Sequence, residues 1–187
     1  MNNLLEKGLK LFENLPAHLE PNSIMYSILC NLCGSLSNEK AVRVGRTILS
    51  QMNEKHYHDI ILMNSVLDML MKFGYVNDAQ RLFSEIKSPS GSTIAVMING
   101  YNDNDLPQES LKFLPFIENY QSDASCLDAW ILPCLHACAQ IGFVSVCRKV
   151  LHYIPQRHYQ NPYLANALIS MWVSLVNNCT QIIIKPF

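Results

Sequence analysis

The chain is poor in charge, in long apolar runs and in period-two alternation, and each shortage removes a class of protein. Asp, Glu, Lys and Arg make up 16% of the 187 residues and nearly cancel to a formal net charge of −1. No global basic field is therefore present to gather nucleic acid. No apolar run approaches the roughly 20 residues needed to span a bilayer; the longest candidate, 167–176, is interrupted by Ser170 and Ser174. Alternation of apolar and polar residues is absent, and Pro and Gly fall between helical patterns, which argues against strands. The start of the chain, Met1 to Lys7, lacks both a signal-peptide core and the Arg-rich, acid-poor character of a transit peptide.

What is present is one helical quartet, repeated. Met63, Val66, Leu67 and Leu70 fall at i, i+3, i+4 and i+7, so they share one stripe of a helix. A turn at Phe73-Gly74-Tyr75 follows, then the quartet Ala79, Leu82, Phe83, Ile86, then the break Ser88-Pro89-Ser90-Gly91. A second hairpin begins at once, with quartets Ile94, Met97, Ile98, Tyr101 and Ser110, Phe113, Leu114, Ile117. A polar turn from Asn102 to Asp105 separates them, and Pro107 suits a helix start.

The same quartet recurs along the chain. First helices of successive hairpins carry it from Tyr26, Met63, Ile94, Ile131 and Ala165, at steps of 37, 31, 37 and 34 residues; second helices carry it from Gly8, Gly45, Ala79, Ser110 and Cys147. Of all the quartet positions only Gly8, Gly45 and Ser110 lie outside the hydrophobic set. Periods of this length mark stacked hairpins, each unable to bury its apolar face alone. Each second helix opens its stripe with a small residue, which predicts close approach to the preceding helix. Repeats three apart are more alike than neighbours: Leu62, Asn64 and Met69 recur as Leu164, Asn166 and Met171, and Leu9-Lys10 as Leu111-Lys112. The order is that of a triplet of hairpins used nearly twice.

The segment NSVLDMLMKFGYVNDAQRLFSEI (Asn64 to Ile86), with VMINGY from Val96 to Tyr101, resembles the pentatricopeptide repeat family, specifically its subclass of alternating long, standard and short repeats. LHACAQIGFVSVCRKVLHYI (Leu135 to Ile154) is similar to that subclass's long repeat, and Asn166 to Met171 to the start of its short one. The resemblance implies an all-α, right-handed α-solenoid of about five hairpins: 1–22 (partial), 23–59, 60–90, 91–127, 128–161 and 162–187 (partial). Both ends read as cut, since the chain opens with a second helix and the expected partner helix after Trp172 is replaced by Asn178 to Phe187. That predicts a fragment or truncated array.

Other constellations compete poorly with this reading. Cys30, Cys33, Cys134, Cys138 and Cys147 occupy stripe positions, where a free thiol acts as a small hydrophobe. Cys30-x-x-Cys33 has no second pair at zinc spacing, and Cys126 and Cys179 lie off the stripes. The subclass often carries a zinc-dependent cytidine deaminase, whose site needs His-x-Glu and Pro-Cys-x-x-Cys. His18-Leu19-Glu20 and Pro133-Cys134 are present, but the next cysteine, Cys138, is one residue too far and both pieces fall in repeat hairpins. No catalytic residue, metal or cofactor is therefore assigned. His56 and His58 read as solvent-facing. Pro115, inside a second helix, removes a backbone hydrogen bond at a cost of about 3 kcal/mol and predicts a kink.

The resemblance also implies what would be bound. In this family each hairpin faces one base of a single-stranded RNA, read by two or three side chains. The matching positions here are Ser27, Asn64, Ala95, Leu132 and Asn166, just after the first stripe residue, and Asn22, Asp59, Ser90, Leu127 and Asn161, at the end of the preceding repeat. Asn64 and Asn166 offer amides that donate and accept; Ile24, Ile61 and Tyr163, one turn earlier, could clamp bases. Ala95, Leu132 and Leu127 offer no polar reading, and each Asn could instead bond helix backbone. The implied function is non-catalytic, sequence-selective binding of single-stranded RNA in organellar RNA processing or C-to-U editing, with a separate editing or processing enzyme as partner and no membrane or small-molecule substrate. The implied location is the mitochondrion or another organelle, otherwise the cytoplasm. The neutral charge favours the alternative of a protein-binding helical scaffold or a degenerate fragment without RNA affinity.

Overall fold

A computed structural model describes residues 2–14, 16, 21–118, 124–142, 144–152, 154 and 159–184. Among the described residues the chain is helical with no strand, and its fold divides into two compact units, Met1–Gly100 and Tyr101–Phe187. The first holds α1 (Asn2–Glu13), α2 (Ser23–Leu36), α3 (Glu39–Gln51), a 3₁₀ turn (Glu54–His58), α4 (Ile60–Lys72), α5 (Val76–Glu85) and most of α6 (Gly91–Asp103). The second holds the end of α6, α7 (Pro107–Leu111), α8 (Leu114–Glu118), α9 (Ala124–Ile141), α10 (Val144–His152) and α11 (Pro162–Ile184).

The quartets form the core. Those of α2, α4, α6 and α9 are buried at every position, and their burial at about 25 cal/mol per Å² of apolar surface is what holds each hairpin together. The ends of the first helices follow a rule finer than the quartets. Eleven residues after each quartet begins, the chain enters the left-handed region: Ser37 (φ 43°), Gly74 (φ 76°), Asp105 (φ 58°) and Gly142 (φ 73°). At Gly74 the N–H of Tyr75 reaches back to Leu70 O (2.9 Å) and that of Gly74 to Met71 O (2.9 Å), which closes the helix and turns the chain. Asp105 does the same, with Leu106 N–H donating to Tyr101 O at 2.8 Å. A Cβ in this conformation costs roughly 1–2 kcal/mol unless, as for Asp, the side chain finds local bonds. Gly74→Ala is accordingly expected to lower stability by about 1 kcal/mol, whereas Asp105→Gly raises it by a few tenths; urea midpoints of the two variants check the opposite signs.

Helix α11 breaks this rule. The corresponding residue, counted from Ala165, is Val176, a β-branched side chain unsuited to the left-handed region, and the helix runs on to Ile184. Its buried face also differs from the predicted quartet: Leu164, Met171 and Leu175 are buried, while Ile169 and Trp172 are exposed and Ala165 and Leu168 half-buried. In α1, Leu11 is exposed rather than covered.

In the first unit the first helices lie side by side. A Cβ added to Gly34 of α2 would meet Met69 Cα at 3.4 Å, and one on Gly100 of α6 would run into Met71 Cγ, so α4 is flanked at close range. The small residues of the second helices have two uses. Gly8 and Gly45 face the first helix of the next hairpin, at Leu32 and at Met69 and Phe73. Ser110 and Cys147 instead touch the preceding helix, through Ser110 Oγ–H to Asn102 Oδ1 (2.5 Å) and Cys147 Sγ toward Cys138 O (3.9 Å).

In the second unit the helix expected around Pro115 is broken into α7 and α8. Pro115 lacks the N–H that would bond Leu111 O, and the chain tightens there, with Lys112 N–H on Glu109 O and Phe113 N–H on Ser110 O (both 3.2 Å). Asn102 is a buried residue of α6 rather than part of a polar turn. Its amide donates to Pro133 O of α9 at 2.8 Å while its carbonyl accepts from Ser110, tying three helices together.

Candidate nucleic-acid interface

The positions singled out for reading bases lie in three registers at the N-terminal ends of the first helices. The first register caps them. Asn22 Oδ1 accepts from Met25 N–H (2.9 Å), Asp59 Oδ1 from Ile61 and Leu62 N–H (3.0 and 3.2 Å), and Asn161 Oδ1 from Tyr163 N–H (2.9 Å). Ser90 Oγ accepts from Thr93 N–H while Thr93 Oγ1 accepts from Ser90 N–H, each at 3.1 Å. These oxygens satisfy orphan backbone donors, an arrangement worth about 1 kcal/mol per helix. Each of the four side chains thus has a structural task whatever else it does.

The second register, two residues on, is apolar and open: Ile24, Ile61 and Tyr163 are among the most exposed large side chains. In α6 the same position is Ser92. The third register holds Ser27, half-buried, Asn64, half-buried, Ala95, buried, and Asn166, exposed; Leu132 of α9 is half-buried, and Leu127 lies within α9, its side chain outside the described residues.

Registers of neighbouring helices meet between α4 and α6. Asn64 Nδ2 donates to Ser92 Oγ (3.2 Å), Ser92 Oγ bonds Ser90 Oγ (2.8 Å), and Ser90 Oγ bonds Thr93 Oγ1 (2.8 Å). The relay joins Asn64 of one hairpin to Ser92 and Ser90 of the next. Asn64 Oδ1 is buried and has no hydrogen-bond partner; an unpaired buried acceptor costs about 1–3 kcal/mol. Sequence reasoning missed Ser92 and Thr93, although the tract Ser90-Gly91-Ser92-Thr93 at a helix start carries the signal. In the second unit the corresponding positions are Asn161, which caps α11, and Tyr163 and Asn166 on that helix.

A cleft of about 380 Å³ opens on a different face of α4, lined by Tyr57, His58, Ile60, Met63, Ile86 and Lys87 and by neither Ile61 nor Asn64. His58 is exposed, but His56 is half-buried with its ring edge-on to Tyr26 at 5.0 Å and Nδ1 accepting from Asn53 N–H, so it is not solvent-facing.

Cationic side chains are engaged away from the relay. Lys72 pairs with Asp68 (2.7 Å) and Arg81 with Asp78 (2.6 Å), while Arg46 donates to Tyr75 OH (2.8 Å) and lies over its ring. Burial pushes the thiols up, Cys30 to about 12, Cys33 to about 11 and Cys134 to about 12. At neutral pH these buried thiols are protonated. No group of three His, Cys, Asp or Glu side chains able to hold a metal gathers among the described residues, and His18-Leu19-Glu20 lies outside them.

Capped first helices, left-handed turns at one fixed register and second helices packed behind define a tandem helical-hairpin repeat protein of the α-solenoid type. The family model of the PPR repeat matches residues 61–88. A chloroplastic pentatricopeptide repeat-containing protein of Arabidopsis thaliana is 25% identical over 82% of the chain and 17% of its own length. A mitochondrial one is 30% identical over 67% of the chain and 17% of its own length, and a further chloroplastic one 26% identical over 91% and 20%. The chain belongs to the pentatricopeptide repeat proteins, and it spans about a fifth of the length of these relatives.

Proposed function

We propose that this chain is a non-catalytic, sequence-selective binder of single-stranded RNA. It acts in an organelle, the compartment named for several relatives, and supports RNA processing or C-to-U editing whose chemistry a separate enzyme supplies. The alternating long, standard and short subclass read in the sequence belongs to this proposal. The observation that carries it is Asn64, an amide at the base-reading register whose carbonyl has no partner in the resting fold. Turning out toward a base edge would give that acceptor a donor, and Ile61 beside it offers an exposed apolar surface for the base plane. With a net charge of −1, affinity would draw little on phosphate neutralisation and so vary little with salt.

Asn64→Ala is the test. It removes one bond to Ser92 but also the unpaired acceptor, so the folded chain is expected to be no less stable than the parent. Affinity for a single-stranded RNA pool is expected to fall about tenfold, the worth of one polar base contact. Fluorescence anisotropy with RNA and with duplex DNA, beside thermal melts, reads both effects. Equal affinity of parent and variant for RNA would remove Asn64 from the reading. The near-neutral charge favours a second reading, a protein-binding helical scaffold; failure of the parent to bind RNA at any salt concentration, with recovery of one defined protein partner, would put that reading first.

A further inference from the structure

Ser92 departs from its register. Ile24, Ile61 and Tyr163 hold the same place on α2, α4 and α11 as exposed apolar side chains, whereas the hydroxyl of Ser92 on α6 reaches across to α4 and accepts from Asn64 Nδ2–H at 3.2 Å. A donor at that end gives the relay a direction. With the amide proton on Ser92 Oγ, the hydroxyl proton of Ser92 goes to Ser90 Oγ and that of Ser90 to Thr93 Oγ1, each at 2.8 Å. Ser90 Oγ also accepts from Thr93 N–H, and Thr93 Oγ1 from Ser90 N–H. Both oxygens then have two donors, which fills their acceptor capacity. The nitrogen of Asn64 is thereby held, while its carbonyl oxygen is buried and unpaired.

We propose that Ser92 is a positioning residue that latches Asn64 away from RNA and so sets how well a base must match before it is admitted. The inference rests on the reading of Asn64 as a base contact. The amide is planar, so its oxygen and nitrogen turn together and the carbonyl comes outward only when the bond to Ser92 opens. Only chains with the latch open are competent, and apparent affinity is reduced by that fraction. A base that donates to Oδ1 and accepts from Nδ2 restores the lost bond and adds one. A base that meets one of the two groups leaves the number of bonds unchanged and gains nothing over the closed latch. Ser92 therefore lowers affinity for every RNA and raises the difference between matching and mismatched ones.

Ser92→Ala and Ser92→Thr, each alone and combined with Asn64→Ala, test the latch in the full chain. Fluorescence anisotropy with a random-sequence pool of single-stranded RNA reads affinity, and sequencing of the retained RNA reads base preference. Ser92 is exposed, and Ser90 keeps its bonds to Thr93 without it, so thermal melts are expected not to move. Ser92→Ala is expected to bind the pool about three- to tenfold more tightly, the worth of one released hydrogen bond, and to weaken the base preference that Asn64→Ala abolishes. Ser92→Thr retains the hydroxyl and is expected to behave as the parent. With Asn64→Ala in place, Ser92→Ala is expected to change nothing. A Ser92→Ala chain that binds no more tightly than the parent overturns the latch, as does a gain that persists in the Asn64→Ala background or one that Ser92→Thr shares. A loss of affinity in Asn64→Ala without a gain in Ser92→Ala overturns the latch alone. Equal affinity of Asn64→Ala and the parent overturns the base contact and the latch together, as does a parent that binds no RNA.

Discussion

Replacing Gly100 by Ala is expected to destabilise the chain even though Ala is the better helix former. The new Cβ would collide with Met71 Cγ and sit 2.7 Å from Met71 Cβ, atoms near the backbone of α4 that cannot swing aside. Overpacking of this kind costs about 1–3 kcal/mol, and the propensity gain on replacing Gly returns at most about 1 kcal/mol. A net loss of about 1–2 kcal/mol should lower Tm by roughly 3–10 °C. Gly34→Ala is the internal comparison. There the nearest atom is Lys72 Cδ at 3.1 Å, partway along a flexible side chain, with Met69 Cα at 3.4 Å, so propensity and crowding roughly cancel. Equal melting shifts for the two variants would show that the α4 and α6 backbones are not held as closely as described.

Asn102→Leu should cost the second unit about 2–3 kcal/mol although the two side chains branch alike. Asn102 is buried, gives a hydrogen bond to Pro133 O and takes one from Ser110 Oγ. Leucine keeps the branched shape at a larger volume and deletes both bonds, stripping Ser110 of that acceptor and Pro133 O of that donor inside the packed region, at about 1–3 kcal/mol for each group that finds no substitute. Adding Ser110→Ala removes one of the stranded groups, so the double variant is expected to recover part of the loss. A double-mutant cycle by urea denaturation measures the coupling. Additive costs would show that Asn102 and Ser110 act independently.

How much of this was legible in the sequence differs from element to element. The quartets of α2, α4, α6 and α9 could be read directly, because the 3.6-residue period is a property of the chain and each of these helices has neighbours to cover its stripe. The break at Pro115 could be read for an equally local reason, the missing N–H. The polar positions are legible, but the choice between two tasks is not: Asn22, Asp59, Ser90 and Asn161 match reading positions, backbone bonding stands beside that for each Asn, and in the fold all four are helix caps, since one oxygen chemistry serves both. Asn102 was misplaced in a turn because its polarity signals a surface, and only its partners on α9 and α7 explain a buried amide.

By itself, then, the sequence determined that this protein is a run of helical hairpins of one family, since periodicity, turn residues and repeat spacing are local and survive without knowledge of neighbours. The tertiary structure alone decided which faces are covered and which polar atoms are satisfied. The two uses of the small residues on second helices, the unpaired carbonyl of Asn64 and the exposure of Ile169 and Trp172 on α11 all depend on what lies across a helix interface. Burial and hydrogen-bond pairing are relations between distant segments, and no single stretch of chain contains them.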